Sequence, residues 1–205
     1  MEITEKLPSK EILQKTCKAI SVLDAILCSE WEYRFYSYNS RWSEDEEFCE
    51  MQDMEGERFQ ILFKEEGCVI NGVHNGYKDA DKSILTEGLP EVYQEFLFGE
   101  PVASYGTNFC IWTDGRGKWQ YNETGEADGK EELLYILDGN PITYKQWAEE
   151  YFEVEEIPLD IIEQIYRGET LTESMVMAVN PEMENWEQLI SDLEEINYTF
   201  DISRR

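Results

Sequence analysis

The sequence has one histidine, no C-x-x-C pair, no apolar run of membrane-spanning length and few cations. Each absence removes a class of function. Five cysteines, Cys17, Cys28, Cys49, Cys68 and Cys110, stand far apart, without the spacing of a zinc or redox site, so reduced and mostly buried thiols are expected. No stretch approaches the roughly 18 apolar residues of a membrane span, and Met1 to Pro8 lacks the apolar core of a secretory signal. A cytoplasmic protein without a membrane partner is expected. Seventeen Lys and Arg face 45 Asp and Glu, a net charge of -28, which repels nucleic acid phosphates and anionic lipid. No nucleic acid partner is expected.

The acid is unevenly spread. Residues 1–30 hold five acids and four bases, whereas 31–100 hold seventeen and six, and 151–205 hold fourteen and three. Two stretches thus carry about -11 each and attract basic proteins or cations. Strong charge usually accompanies disorder, but apolar residues make up 41% and aromatics 13%, enough for a folded core.

Apolar positions Leu13, Thr16, Ile20, Leu23 and Leu27 recur every three or four residues, widened by Ile12, Ala19 and Ile26, which predicts an amphipathic helix after Pro8 and Ser9. Alternation follows, with Tyr33, Phe35 and Ser37 on one strand face and Arg34, Tyr36 and Tyr38 on the other. Glu44 to Met54 fits helix or strand, and its strand neighbours favour strand. Arg58 to Lys64 and Cys68 to Val73 read as a hairpin. Leu89-Pro90 opens a short helix over Glu91 to Phe98. A second hairpin, Asn108 to Thr113 and Lys118 to Tyr121, is expected to bring Trp112 and Trp119 together. Beyond Gly129 the pattern is helical, with helices at Leu159 to Tyr166, Thr172 to Val179 and Met183 to Ile196. The fold class is α+β, with an N-terminal helix on a mostly antiparallel sheet in residues 1–125 and a C-terminal helical subdomain in 126–205.

Catalytic motifs fail on inspection. His74 has Cys68 as its nearest thiol, but surrounding acids raise the energy of a thiolate and weaken the nucleophile. Asp79-Ala80-Asp81-Lys82-Ser83 begins like a calcium loop, then places Ile84 where glycine is needed and Pro90 where glutamate is needed. Gly115-Arg116-Gly117-Lys118 lacks phosphate-loop spacing and reads as a turn. No catalytic residue, metal or cofactor is assigned. The strongest local feature is Tyr36, Tyr38 and Trp42 running into Glu44, Asp45, Glu46 and Glu47. Aromatic anchors beside carboxylates suit a partner-binding surface, while the blander reading makes them core residues under a solvated charge run.

Tyr36-Ser-Tyr-Asn-Ser-Arg-Trp42, Gly67-Cys-Val-Ile-Asn-Gly72, Phe109-Cys-Ile-Trp112 with Trp119, and Leu137-Asp-Gly-Asn-Pro141 with Trp147-Ala-Glu-Glu-Tyr151 span roughly residues 30 to 155. As a set they resemble a group of small, acidic, cytoplasmic bacterial proteins without assigned enzymatic activity, associated with immunity proteins that neutralise secreted toxins. The resemblance implies a non-enzymatic protein whose partner is a basic protein such as a toxin, and it carries no residue roles. The hallmark of the larger Smi1/Knr4-like immunity superfamily, an aromatic-rich N-terminal helix leading into a W-x-G-like motif, is not evident here. Two other readings stand beside it: carbohydrate binding or glycoside processing through Trp, Tyr, Asp and Glu, and an assembly subunit whose C-terminal helices join a homo-oligomer.

Overall fold

The computed structural model describes residues 3–77, 80–114, 116–125 and 127–203. A short helix α1 (Ile3–Lys6) precedes α2 (Lys10–Leu27), and a 3₁₀ turn at Trp31–Tyr33 leads into the strands β1 (Tyr36–Ser43), β2 (Glu46–Gln52), β3 (Arg58–Lys64) and β4 (Gly67–Val73). Three short helices follow, α3 (Lys82–Leu85), α4 (Gln94–Phe98) and α5 (Val102–Tyr105), then β5 (Phe109–Thr113) and β6 (Trp119–Tyr121). The remainder comprises α6 (Lys130–Leu134), α7 (Pro141–Tyr151), α8 (Leu159–Tyr166), β7 (Leu171–Thr172), α9 (Glu173–Val179), α10 (Trp186–Ile196) and β8 (Phe200–Asp201).

Strands β1 to β6 form one antiparallel meander in sequence order, so β1 and β6 are its edges, while β7 and β8 pair in parallel. The fold is α+β, as the sequence patterns predict, and Glu44 to Met54 supplies a strand.

Both faces of the central strands are covered. Tyr36, Tyr38, Cys49, Phe59, Ile61, Phe63 and Ile70 face α2 and the C-terminal helices. Phe48, Leu62, Val69, Cys110 and Trp112 face Leu85, Tyr93, Phe96, Leu97 and Val102 on the opposite side. Double coverage explains why β3, β4 and β5 read as near-continuous apolar runs, a pattern usual for strands buried on both faces.

One pairing departs from the sequence reading. Trp112 lies opposite Gln120, and Trp119 lies opposite Thr113. A one-residue offset puts the two indoles on opposite faces: Trp112 packs among the short helices, whereas Trp119 packs on the α2 side and donates from Nε1 to the Pro8 carbonyl at 2.9 Å.

Helix α2 is central to the molecule. Its first half is amphipathic, but Ala19 to Ile26 is buried on every side, because β1 packs on one flank and α8, α9 and α10 on the others. Residues from both expected domains therefore share one apolar cluster, which runs across position 125 without a break. Two polar residues, Ser21 and Asp24, are carried into that interior.

Candidate functional site: a groove at the open sheet edge

Alternation along β1 decides the fate of its aromatics. Tyr36 pairs with Met51 and Tyr38 with Cys49, so both rings point to the α2 face and are only 3% exposed. Both are therefore buried in the core and are not the exposed anchors expected, although each also lines the groove described below. The Tyr38 hydroxyl donates to Glu47 Oε2 at 2.7 Å, and burial together with that carboxylate raises its pKa.

Between Asn39 and Ser43 the register shifts through a bulge. Bulges re-aim side chains, and here Trp42 leaves the face of Tyr36 and Tyr38 to stack on Phe48, with ring centroids 4.3 Å apart. Trp42 remains 42% exposed. The four-acid run divides in the same way. Glu44 and Asp45 form the exposed β1–β2 turn, while Glu46 pairs with Lys64 at 2.6 Å and Glu47 with Lys18 at 2.7 Å. Half of that run is tied to the fold.

Beside the unpaired edge of β1, a groove of about 390 Å³ opens against α10 and the 3₁₀ turn. Trp31 and Trp42 line it, with Arg34, Glu50, Asp192 and Glu195, and Ser21 reaches it from α2. Trp31 is 63% exposed, so two tryptophans reach solvent at one groove. Among the described residues the charged lining holds one cation against three carboxylates.

Those charges are unequally satisfied. Arg34 is well partnered: its guanidinium pairs with Asp192 Oδ2 at 2.6 Å and donates to the carbonyls of Cys28 at 2.7 Å and Ser29 at 3.3 Å. Asp192 also accepts from Gln188 Nε2 at 2.9 Å. Glu50 accepts from Arg58 at 2.6 Å and Gln60 at 3.0 Å. Glu195 differs, since its carboxylate makes no hydrogen bond or ion pair among the described residues. Burial and the neighbouring Asp192 push its pKa up, while Arg34 pulls it down.

The segment entering β1 is pinned from inside as well. Asp24 accepts from the backbone N–H groups of Phe35 at 3.1 Å and Tyr36 at 3.0 Å, and from the Tyr144 hydroxyl at 2.8 Å. Burial raises its carboxyl to about 7 against the downward pull of these donors. Asp24 thus joins α2, β1 and α7.

Other candidates have structural employment. His74 Nδ1 lies 3.2 Å from Glu57, and Cys68 is fully buried with its thiol pushed up to about 12 by desolvation. Asp81 caps α3 by accepting from Ser83 N at 2.9 Å, whereas Asp79 of the calcium-like run lies outside the described residues. Asp114 accepts from the N–H groups of Arg116 and Lys118, closing the second hairpin, and Gly115 also lies outside the described residues. Among the described residues no cluster of His, Cys, Asp or Glu is arranged to hold a metal, and no helix is long and apolar enough to cross a membrane.

No protein-family model, curated protein or solved structure matches this chain.

Trp31, Arg34, Glu50, Ser21, Asp192 and Glu195 are among the groove residues that sequence reasoning missed. Part of the signal was present. Ser21 and Asp24 interrupt an otherwise apolar run from Ala19 to Ile26, and Asp192 and Glu195 are three apart on one helix, a spacing that puts two acids on one face.

Proposed function

We propose that this is a non-enzymatic, immunity-like binding protein that captures a basic protein, such as a toxin nuclease, and occludes the surface where its anionic substrate would lie. The observation that carries this reading is charge that the fold cannot neutralise internally. If every Lys and Arg were paired with a carboxylate, 28 acids would still lack a cation. Such self-repulsion opposes compaction, and a basic partner relieves it. Complementary fields raise association to roughly 10⁸ M⁻¹s⁻¹ at low salt and lose that advantage as salt screens them.

The test is a panel of purified basic nucleases and neutral controls, assayed for inhibition and for association rate across ionic strength. A nuclease inhibited with a rate that falls steeply with salt is the expected result; a panel without any salt-dependent complex overturns the reading. Glu44→Lys with Asp45→Lys is the double variant suited to steering, because both positions are exposed whereas Glu46 and Glu47 support the fold. Association should slow severalfold, with little change in stability.

Trp31 and Trp42 at one groove favour a second reading, carbohydrate binding, since exposed indoles also stack on sugar rings. It predicts an affinity for neutral oligosaccharides that is indifferent to salt.

A further inference from the structure

We infer, resting on the basic-partner reading, that the groove between β1 and α10 is a socket for one arginine side chain of that partner, stacked against tryptophan and held by Glu195. Four observations converge on a guanidinium. The first is unmet charge. Among the described residues Arg34 is the one cation lining the groove beside Asp192 and Glu195, and it is already paired with Asp192 and bonded to two backbone carbonyls. A second cation entering the groove meets a carboxylate with a free acceptor set and relieves its repulsion with Asp192.

The second observation is an unused hydroxyl. Ser21 lines the groove, is only 2% exposed, and its Oγ has no hydrogen-bond partner. A serine within a helix ordinarily bonds back to the carbonyl one turn earlier or reaches water, and a buried hydroxyl without a partner costs free energy. An N–H donor arriving in the groove removes that cost.

The third is the aromatic walling. Trp31 and Trp42 offer exposed indole surface, and a planar guanidinium stacks on an indole while still donating in its own plane, which a lysine ammonium does less well. The fourth is an internal precedent. Arg58 lies 3.5 Å over the centre of the Tyr105 ring and pairs at 2.6 Å with Glu50, itself a groove residue. The fold already holds one guanidinium between a carboxylate and an aromatic face. The volume of about 390 Å³ is within the range of ligand clefts and suits one long side chain with part of its backbone.

The probes are synthetic Gly-Arg-Gly repeat peptides, their lysine and glutamine counterparts, and a neutral chito-oligosaccharide, titrated calorimetrically and by tryptophan fluorescence at low salt. The arginine peptide should bind several-fold tighter than the lysine peptide and perturb the fluorescence. Glu195→Gln and Trp31→Ala should each weaken it by about tenfold, the loss expected for one charge-assisted contact. Glu182→Gln, an exposed acid outside the groove, should change it less than twofold. Equal binding by wild type, Glu195→Gln and Trp31→Ala overturns the socket while leaving the basic-partner reading intact. Absence of binding by both cationic peptides overturns both. Oligosaccharide binding that Trp31→Ala abolishes, with the peptides inert, assigns the groove to sugar instead.

Discussion

Asp24 and Glu195 are both acids whose pKa is raised, first of all by lost hydration, yet Asp24 is wholly buried whereas Glu195 stays exposed to solvent. What faces them differs. Asp24 meets two backbone N–H groups and a tyrosine hydroxyl, whereas Glu195 meets another carboxylate and a guanidinium already in use. The first arrangement is closed, with a donor for each oxygen; the second is open. Neither residue type nor the direction of the pKa shift separates the two. Exposure and the supply of donors do, and on those criteria Asp24 is a joint between α2, β1 and α7, while Glu195 is an open acceptor at the rim of the groove.

The largest effect that would break this contrast is expected at the joint. Asp24→Ala leaves three donors without an acceptor and should cost about 4 kcal/mol in urea denaturation; a loss below about 1 kcal/mol would show that Asp24 is not the joint described here. Arg34→Met strips Asp192 of its cation in a largely buried setting and should cost about 3 kcal/mol, again read from the urea midpoint.

Dependence on pH sharpens the contrast further. The folded value for Asp24, about 7, lies above its ordinary 3.8. Its protonated form therefore contributes stability that is fully present below the ordinary value and is lost as pH rises through about 7. Between about pH 5 and pH 8 the wild type should lose on the order of 2 kcal/mol relative to Asp24→Asn, whose amide does not titrate. Parallel stability curves for the two proteins would contradict the assignment. The smallest effect is expected at Glu195, where Glu195→Gln should change stability by no more than about 0.5 kcal/mol, its partial exposure screening the repulsion it removes.

Local periodicity carried most of the fold. The stripe from Leu13 to Leu27 and the isoleucine-rich run from Leu159 to Tyr166 match α2 and α8, since a helix whose apolar face meets a core leaves that spacing in the sequence. Asn185 and Thr172 appear as side-chain caps for α10 and α9, which trims the expected helices by one to three residues. Long-range register was harder to read. Nothing local distinguishes Trp112 opposite Trp119 from Trp112 opposite Gln120, and the choice is made by how β5 meets β4 and β6. The same holds for the groove. Tyr36, Tyr38 and Trp42 share sequence parity, but a bulge separates their destinations, and Glu195 becomes an edge residue only because α10 returns to β1.

The pairing of Arg34 with Asp192 closes a separation of 158 residues. On a ribosome adding about 5 to 20 residues each second, roughly 8 to 30 s elapse between the two codons. Throughout that interval the interior flank of α2 has no α10 to cover it, and the cation that will sit in the groove has no counter-ion from this chain. Until α10 has emerged that flank stays open to proteases and the groove lacks one of its walls, so a single helix completes both the core and the groove.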